Sequence, residues 1–136
     1  MIRLSQDKIQ VEDVIQSVTS DGAGAIDVFI GTVRNQTKNK KVIRLEFEAY
    51  ESMAIKELEM IRDRAQAKWP ILKIAIVHAT GLLQIGDIPV VIAVATPHRN
   101  DAFEACKFVI DELKKTVPIW KKEFYEDGEV WVSAHP

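Results

Sequence analysis

The spacing of hydrophobic and polar positions changes several times along the chain, and each change marks a new element. In "VIRLEFEAY", Ile43, Leu45, Phe47 and Ala49 alternate with Arg44, Glu46 and Glu48. A period of two predicts a strand with one buried face. The period then lengthens. Ala54, Leu58, Ile61 and Ala65 form one stripe of a long amphipathic helix in "ESMAIKELEMIRDRAQAKW", which Pro70 stops. A second long helix, "RNDAFEACKFVIDELKK", turns Phe103, Cys106, Ile110 and Leu113 inward, and Pro118 ends the segment. Val11, Val14, Ile15 and Val18 predict a shorter helix in "VEDVIQSV". The apolar runs "AIDVFIGTVR", "ILKIAIVHAT" and "IPVVIAVAT" predict strands, and "MIRLS" a short first one. "IWKKEFY" and "EVWVS" predict a closing hairpin around Asp127–Gly128. "NQTKNKK" and "GLLQIGD" read as loops. Helices set among apolar and alternating strands predict an α+β sandwich.

Length and charge narrow the picture. A chain of 136 residues suggests one domain, 1–136, with one core. Hydrophobic content of 47% and charged content of 28% are ordinary for a globular protein in water. With 18 Lys+Arg against 20 Asp+Glu, the chain is not built as a general nucleic-acid binder, though a local basic patch is possible. Cys106 is the single cysteine, so no disulfide forms within the chain, which fits a reducing compartment. No run approaches the roughly 20 apolar residues that span a bilayer, and "MIRLSQDKIQ" lacks the apolar core of a secretion signal. The expectation is a cytoplasmic protein that does not engage membranes.

Candidate chemistry rests on basic groups. Arg34 closes the strand "FIGTVR", and an arginine there is either solvated or an anion fork. His98 and Arg99 stand between an apolar strand and a helix start, a common setting for anion sites and equally for a simple cap. Lys114 and Lys115 fall in the last turn of the second long helix, where cations complement the dipole whether or not they bind anything. Lys121 and Lys122 are adjacent in a strand and leave on opposite faces. Ile119, Lys121 and Glu123 share one face; Trp120, Lys122 and Phe124 share the other, which its aromatics would ordinarily make the core side, so hydrophobicity does not decide which lysine faces a pocket. An inward lysine needs an anionic partner, either Glu123 or a ligand. The lysines of "TKNKK" are either solvated or part of a lid. His78, His98 and His135 lack zinc spacing, and no phosphate-binding P-loop or dinucleotide fingerprint is present. Cys106 lies on the inward stripe of its helix and reads as core. Neither a metal nor an organic cofactor is therefore expected.

Taken in order, "FIGTVR" (29–34), "LEFEAYESMA" (45–54), "GLLQIGD" (81–87), "PHRNDAFEA" (97–105), "LKKTVPIWKKE" (113–123) and the "DGEVWV" that follows resemble the large subunit of molybdopterin synthase. The pieces span most of the chain. The most specific combination is His-Arg before an Ala-Phe-Glu-Ala helix, with Lys-x6-Lys across Pro-Ile-Trp. The resemblance implies an α/β hammerhead-type sandwich of mixed or antiparallel sheet with flanking helices. It also implies a homodimer in which each copy binds a small ubiquitin-like subunit, giving a heterotetramer. That partner's Gly-Gly C-terminus, carried as a thiocarboxylate, would enter a pocket and give sulfur to cyclic pyranopterin monophosphate, forming the dithiolene of molybdopterin.

On this resemblance Lys114 and Lys121 are the catalytic lysines. Arg34, His98 and Arg99 bind substrate, Phe29 lines the pocket, and Lys115 is a further binding candidate. Two positions depart from relatives. His78-Ala79 replaces a frequent His-Arg pair. His135 falls where relatives often place an arginine that reaches across the dimer, which either removes that contact or makes it sensitive to pH near neutrality. The alternatives are a non-catalytic dimeric module that binds phosphate or nucleotide through the same groups, and a structural dimerisation domain with solvated lysines.

Overall fold

The computed structural model describes residues 1–37 and 40–133, with only the backbone of 131–133. Its elements run β1 (Ile2–Ser5), α1 (Val11–Ser17), β2 (Ala25–Gly31), β3 (Gln36–Thr37), β4 (Lys40–Ala49), α2 (Glu51–Lys68), β5 (Lys73–Ala79), β6 (Gly81–Gln84), β7 (Val90–Thr96), α3 (Arg99–Thr116), β8 (Ile119–Tyr125) and β9 (Gly128–Ser133). The α+β class and the flanking helices expected from the sequence are present.

Two sheets share the work. The first has the order β1-β5-β7-β2; β1 pairs with β5 in parallel and the other pairs are antiparallel. β5 and β7 are buried on both faces, which explains their unbroken apolar runs. Ile74, Ile76, Ile92 and Val94 face α2 and α3 in the larger core. The smaller Ala75, Val77, Ala93 and Ala95 face the short α1 through Val14 and Val18. The second sheet has the order β3-β4-β8-β9, with β6 also paired to β4. Val42, Leu45, Phe47 and Ile119 carry its inner face into the same large core. No helix among the described residues is long and apolar enough to cross a membrane.

Several local expectations change. "NQTKNKK" contains β3, which pairs with the start of β4, and "GLLQIGD" contains β6. Both are strand because β4 has an open side for hydrogen bonding, a tertiary opportunity that turn-rich composition hides. Ile43 is exposed rather than inward. A bulge between Val42 and Arg44 removes it from the ladder, so Val42 and Leu45 both face the core three positions apart. Phe103 is 54% exposed, because the buried stripe of α3 centres on Ala102, Cys106, Val109 and Leu113 and Phe103 lies a quarter-turn aside. The closing hairpin forms as expected, with Gly128 at φ 145°, a conformation that favours glycine.

Candidate active site

Residues remote in sequence converge on one cavity of about 260 Å³ at the seam between the two sheets. β2 brings Phe29 to its wall and ends at Gly31, where a Cβ would stand 2.7 Å from the Val90 side chain. The chain then bends. Val33 donates its N–H to Asp87 O and accepts from the Gly86 N–H, at 2.9 and 2.8 Å, which buries Val33 and leaves Arg34 exposed at the cavity mouth. The last turn of α3 adds Lys114, and β8 adds Lys121 and Glu123. β8 runs antiparallel to β4, setting Lys121 opposite Phe47 and Glu123 opposite Leu45.

This register decides the face of β8. Ile119 and Glu123 are buried, so Lys121 points inward with them, while Trp120 is 46% exposed. The aromatic side is therefore not the core side. Its ring at Phe124 is covered instead by Arg44 at 4.4 Å and by Lys122 at 5.3 Å, and Lys122 pairs with Glu129 at 2.9 Å. Cations lying over a ring satisfy an outward aromatic without burying it.

The cavity is electrostatically unbalanced. Among the described residues, Lys114, Lys121 and Arg34 make no ion pair. Burial, then the nearby Lys121 and then Arg34, lowers the pKa of Lys114 below that of an ordinary lysine. Three cations beside one carboxylate, none of them ion-paired among the described residues, form a receptor for an anion, and a lysine that holds its proton less firmly can also exchange it. Lys115 is outside the cavity, exposed and paired with Glu112 at 3.4 Å. His98 and Arg99 are exposed at the opposite end of α3. Fifteen residues of helix separate Arg99 from Lys114, about 22 Å at 1.5 Å per residue. One chain does not bring them together. His135 lies outside the described residues. No group of three or more His, Cys, Asp or Glu among the described residues is placed to hold a metal.

Two residues gain importance from the structure. Glu123, considered from sequence only as a partner for an inward lysine, lines the cavity at 4% exposure. His78 stands behind the cavity wall, its ring edge-on to Phe47 at 5.1 Å and 74°. Its Nδ1–H donates to Ala79 O at 2.7 Å. Burial is the main cause that lowers its pKa to about 4 from an ordinary 6.5.

A folded-state value below the unfolded one makes the unfolded chain bind the extra proton first. The stability His78 confers is whole above pH 6.5 and is lost as pH falls through 4. Over that window the loss is about 3 kcal/mol at 1.36 kcal/mol per pKa unit. Urea unfolding at pH 7.5 and pH 4 checks this: His78→Leu is expected to lose about 3 kcal/mol less than wild type between the two. Equal losses would show that His78 is not the group responsible.

The sequence model of the MoaE protein family matches residues 4–116. The chain is 50% identical over 129 residues to the molybdopterin synthase catalytic subunit of Halalkalibacterium halodurans, covering 95% of this chain and 83% of that one. It superposes on the crystal structure of molybdopterin synthase from Staphylococcus aureus with a TM-score of 0.90 and 46% identity, covering 94% of this chain and 93% of that one. The fold also occurs, at a TM-score of 0.79 and 21% identity, in a complex of subunits 1 and 2 of molybdopterin-converting factor from Helicobacter pylori, over 96% of this chain and 88% of that one. With a family match over most of its length and relatives near half identity across it, the chain belongs to the MoaE family, that of the molybdopterin synthase catalytic subunits.

Proposed function

We propose that this chain, as a molybdopterin synthase catalytic subunit, moves sulfur from the C-terminal thiocarboxylate of a small ubiquitin-like partner to cyclic pyranopterin monophosphate. The observation that carries the reading is the trio Lys114, Lys121 and Arg34 around one cavity without an ion pair among the described residues. Both reactants are anions. A site that joins them must neutralise both and then stabilise the oxyanion formed when the thiocarboxylate carbon is attacked. Lys121, on a strand fixed by its neighbours β4 and β9, supplies positive charge at that oxyanion. Lys114 exchanges protons with the reacting groups, since its surroundings favour the neutral amine more than water does. Phe29 provides apolar wall.

Reconstitution tests the assignment. Purified chain, thiocarboxylated partner and pterin substrate, in buffer containing a strong chelator, are expected to yield the dithiolene product. No product from a fully thiocarboxylated partner would overturn the assignment. Product lost on chelation and restored by one metal would overturn its cofactor-free form.

The working unit is a homodimer in which a second copy supplies His98 and Arg99. The distance along α3 supports this, because within one chain these groups stand on the order of 20 Å from Lys114. Mixing inactive Lys121→Ala with inactive Arg99→Ala checks it. Each mixed dimer then holds one site with both native residues, and transfer is expected to return at up to about half the native level per mixed dimer. No recovery after verified subunit exchange would place Arg99 outside the shared site.

A further inference from the structure

We propose that Thr96 is a positioning residue whose buried hydroxyl fixes the turn presenting His98 and Arg99 to a second copy, an inference that rests on the shared-site reading given above.

β7 ends on an anomaly. It reads Val-Val-Ile-Ala-Val-Ala-Thr, and the threonine is as buried as the apolar residues before it, at 0% exposure. Valine has nearly the same shape and would bring no hydroxyl to desolvate. The Thr96 hydroxyl is satisfied by one bond, donated from Oγ1 to His98 O at 2.6 Å. That acceptor lies two residues ahead, beyond Pro97, on the residue that caps the start of α3. The one polar side chain of β7 thus acts on the backbone of a residue that the shared site requires.

The same turn is held from two further sides. Pro97 fixes its own φ and keeps Thr96 extended. Gly24, just before β2, donates its N–H to Thr96 O at 3.0 Å, and a Cβ on Gly24 would stand 2.2 Å from Pro97 O. An approach that close leaves room for glycine alone. The side chains above this backbone are uncommitted. His98 is extended at φ −128° and ψ 143°, and its imidazole makes no cap bond to the helix. Among the described residues Arg99 makes no ion pair, and both side chains are exposed. Two uncommitted groups on a fixed backbone suit a site supplied to another chain, because little remains to be ordered when the reactants arrive.

Thr96→Val tests this by removing the hydroxyl and keeping the shape. With thiocarboxylated partner and subsaturating pterin, single-turnover transfer is expected to fall about tenfold, the scale of one lost buried hydrogen bond. Thr96→Ser keeps the hydroxyl and should stay within about twofold of wild type. Subunit mixing separates positioning from general damage. A mixed dimer of Thr96→Val with Lys121→Ala joins the native cavity of the first chain to the native His98 and Arg99 of the second. With Lys121→Ala in excess and exchange verified, transfer per Thr96→Val chain should return to the wild-type level per site. With Arg99→Ala in excess it should stay about tenfold low. If valine prevents folding, Thr96→Ala carries the same expectation through the same mixtures. Undiminished transfer by Thr96→Val overturns the proposal. So does recovery with Arg99→Ala instead of Lys121→Ala, which would put the defect in the variant's own cavity. Lys121→Ala mixed with Arg99→Ala is the control. Its failure would mean that the shared site itself is wrong; its success without recovery of Thr96→Val would overturn the positioning role alone.

Discussion

Lys121→Ala is expected to slow single-turnover sulfur transfer about a hundredfold, on the order of 3 kcal/mol, the typical loss for one preorganised donor to a developing oxyanion. The expectation follows from where the side chain points. Ile119 and Glu123 fix the inner face of β8, and Lys121 shares it at the cavity wall. The same substitution should leave the melting temperature nearly unchanged, because removing one of three clustered cations relieves repulsion while vacating little packed volume. Lys122→Ala provides the contrast. Lys122 leaves on the outer face, where it pairs with Glu129 and lies near the Phe124 ring. Its loss should change the rate by less than roughly tenfold and act through packing and the exposed ion pair. Transfer rates and melting curves of the two variants decide the matter. Equal rate losses, or a larger loss for Lys122→Ala, would mean that the outer face carries the chemistry.

Deleting the two terminal glycines of the small partner is expected to abolish transfer and weaken binding. A cavity of about 260 Å³ admits a thin extended chain better than a bulky one. A tail without side chains fits that space, with its terminal anion held by charge-assisted bonds and its backbone by apolar contact. Two extended residues span about 7 Å. Their loss therefore withdraws the reacting carbon by roughly that length, far beyond the approximately 3 Å that proton transfer or oxyanion contact requires. Affinity and single-turnover transfer measured with full-length and shortened partners check the expectation. Transfer that survives the deletion would defeat the tail-in-cavity reading.

How much of this was readable from the chain alone differs by level. The two long helices were, since eighteen residues of consistent stripe average out local exceptions such as Phe103. The buried strands β5 and β7 were legible as apolar runs for the same reason. β3 and β6 were not, because they are strands only by virtue of β4 beside them. Hydrophobicity alone left the inward face of β8 open, with aromatic content pointing the wrong way and the family resemblance pointing to Lys121, since cation stacking on Phe124 leaves no trace in hydrophobic periodicity. The site followed a similar rule. Arg34, Lys114 and Lys121 each had a bland explanation when taken singly, and only the family resemblance grouped them. Their meeting depends on the antiparallel pairing of β4 with β8 and on where α3 stops, both outcomes of tertiary structure. Glu123 was harder still, for a carboxylate beside lysines in sequence looks like an ordinary ion pair.

The bulge at Ile43 bears on how this family can change in length. Val42 pairs with Tyr125 and Arg44 with Phe124, consecutive residues of β8, so Ile43 is supernumerary to the ladder. A deletion of that one codon would leave every flanking side chain on the face it now occupies. Losing Glu46 instead would turn the whole stretch from Lys40 to Leu45 over, exposing Val42 and Leu45 and driving Arg44 into the core. Evolution can thus shorten β4 by one residue at 43 far more readily than anywhere between Arg44 and Phe47.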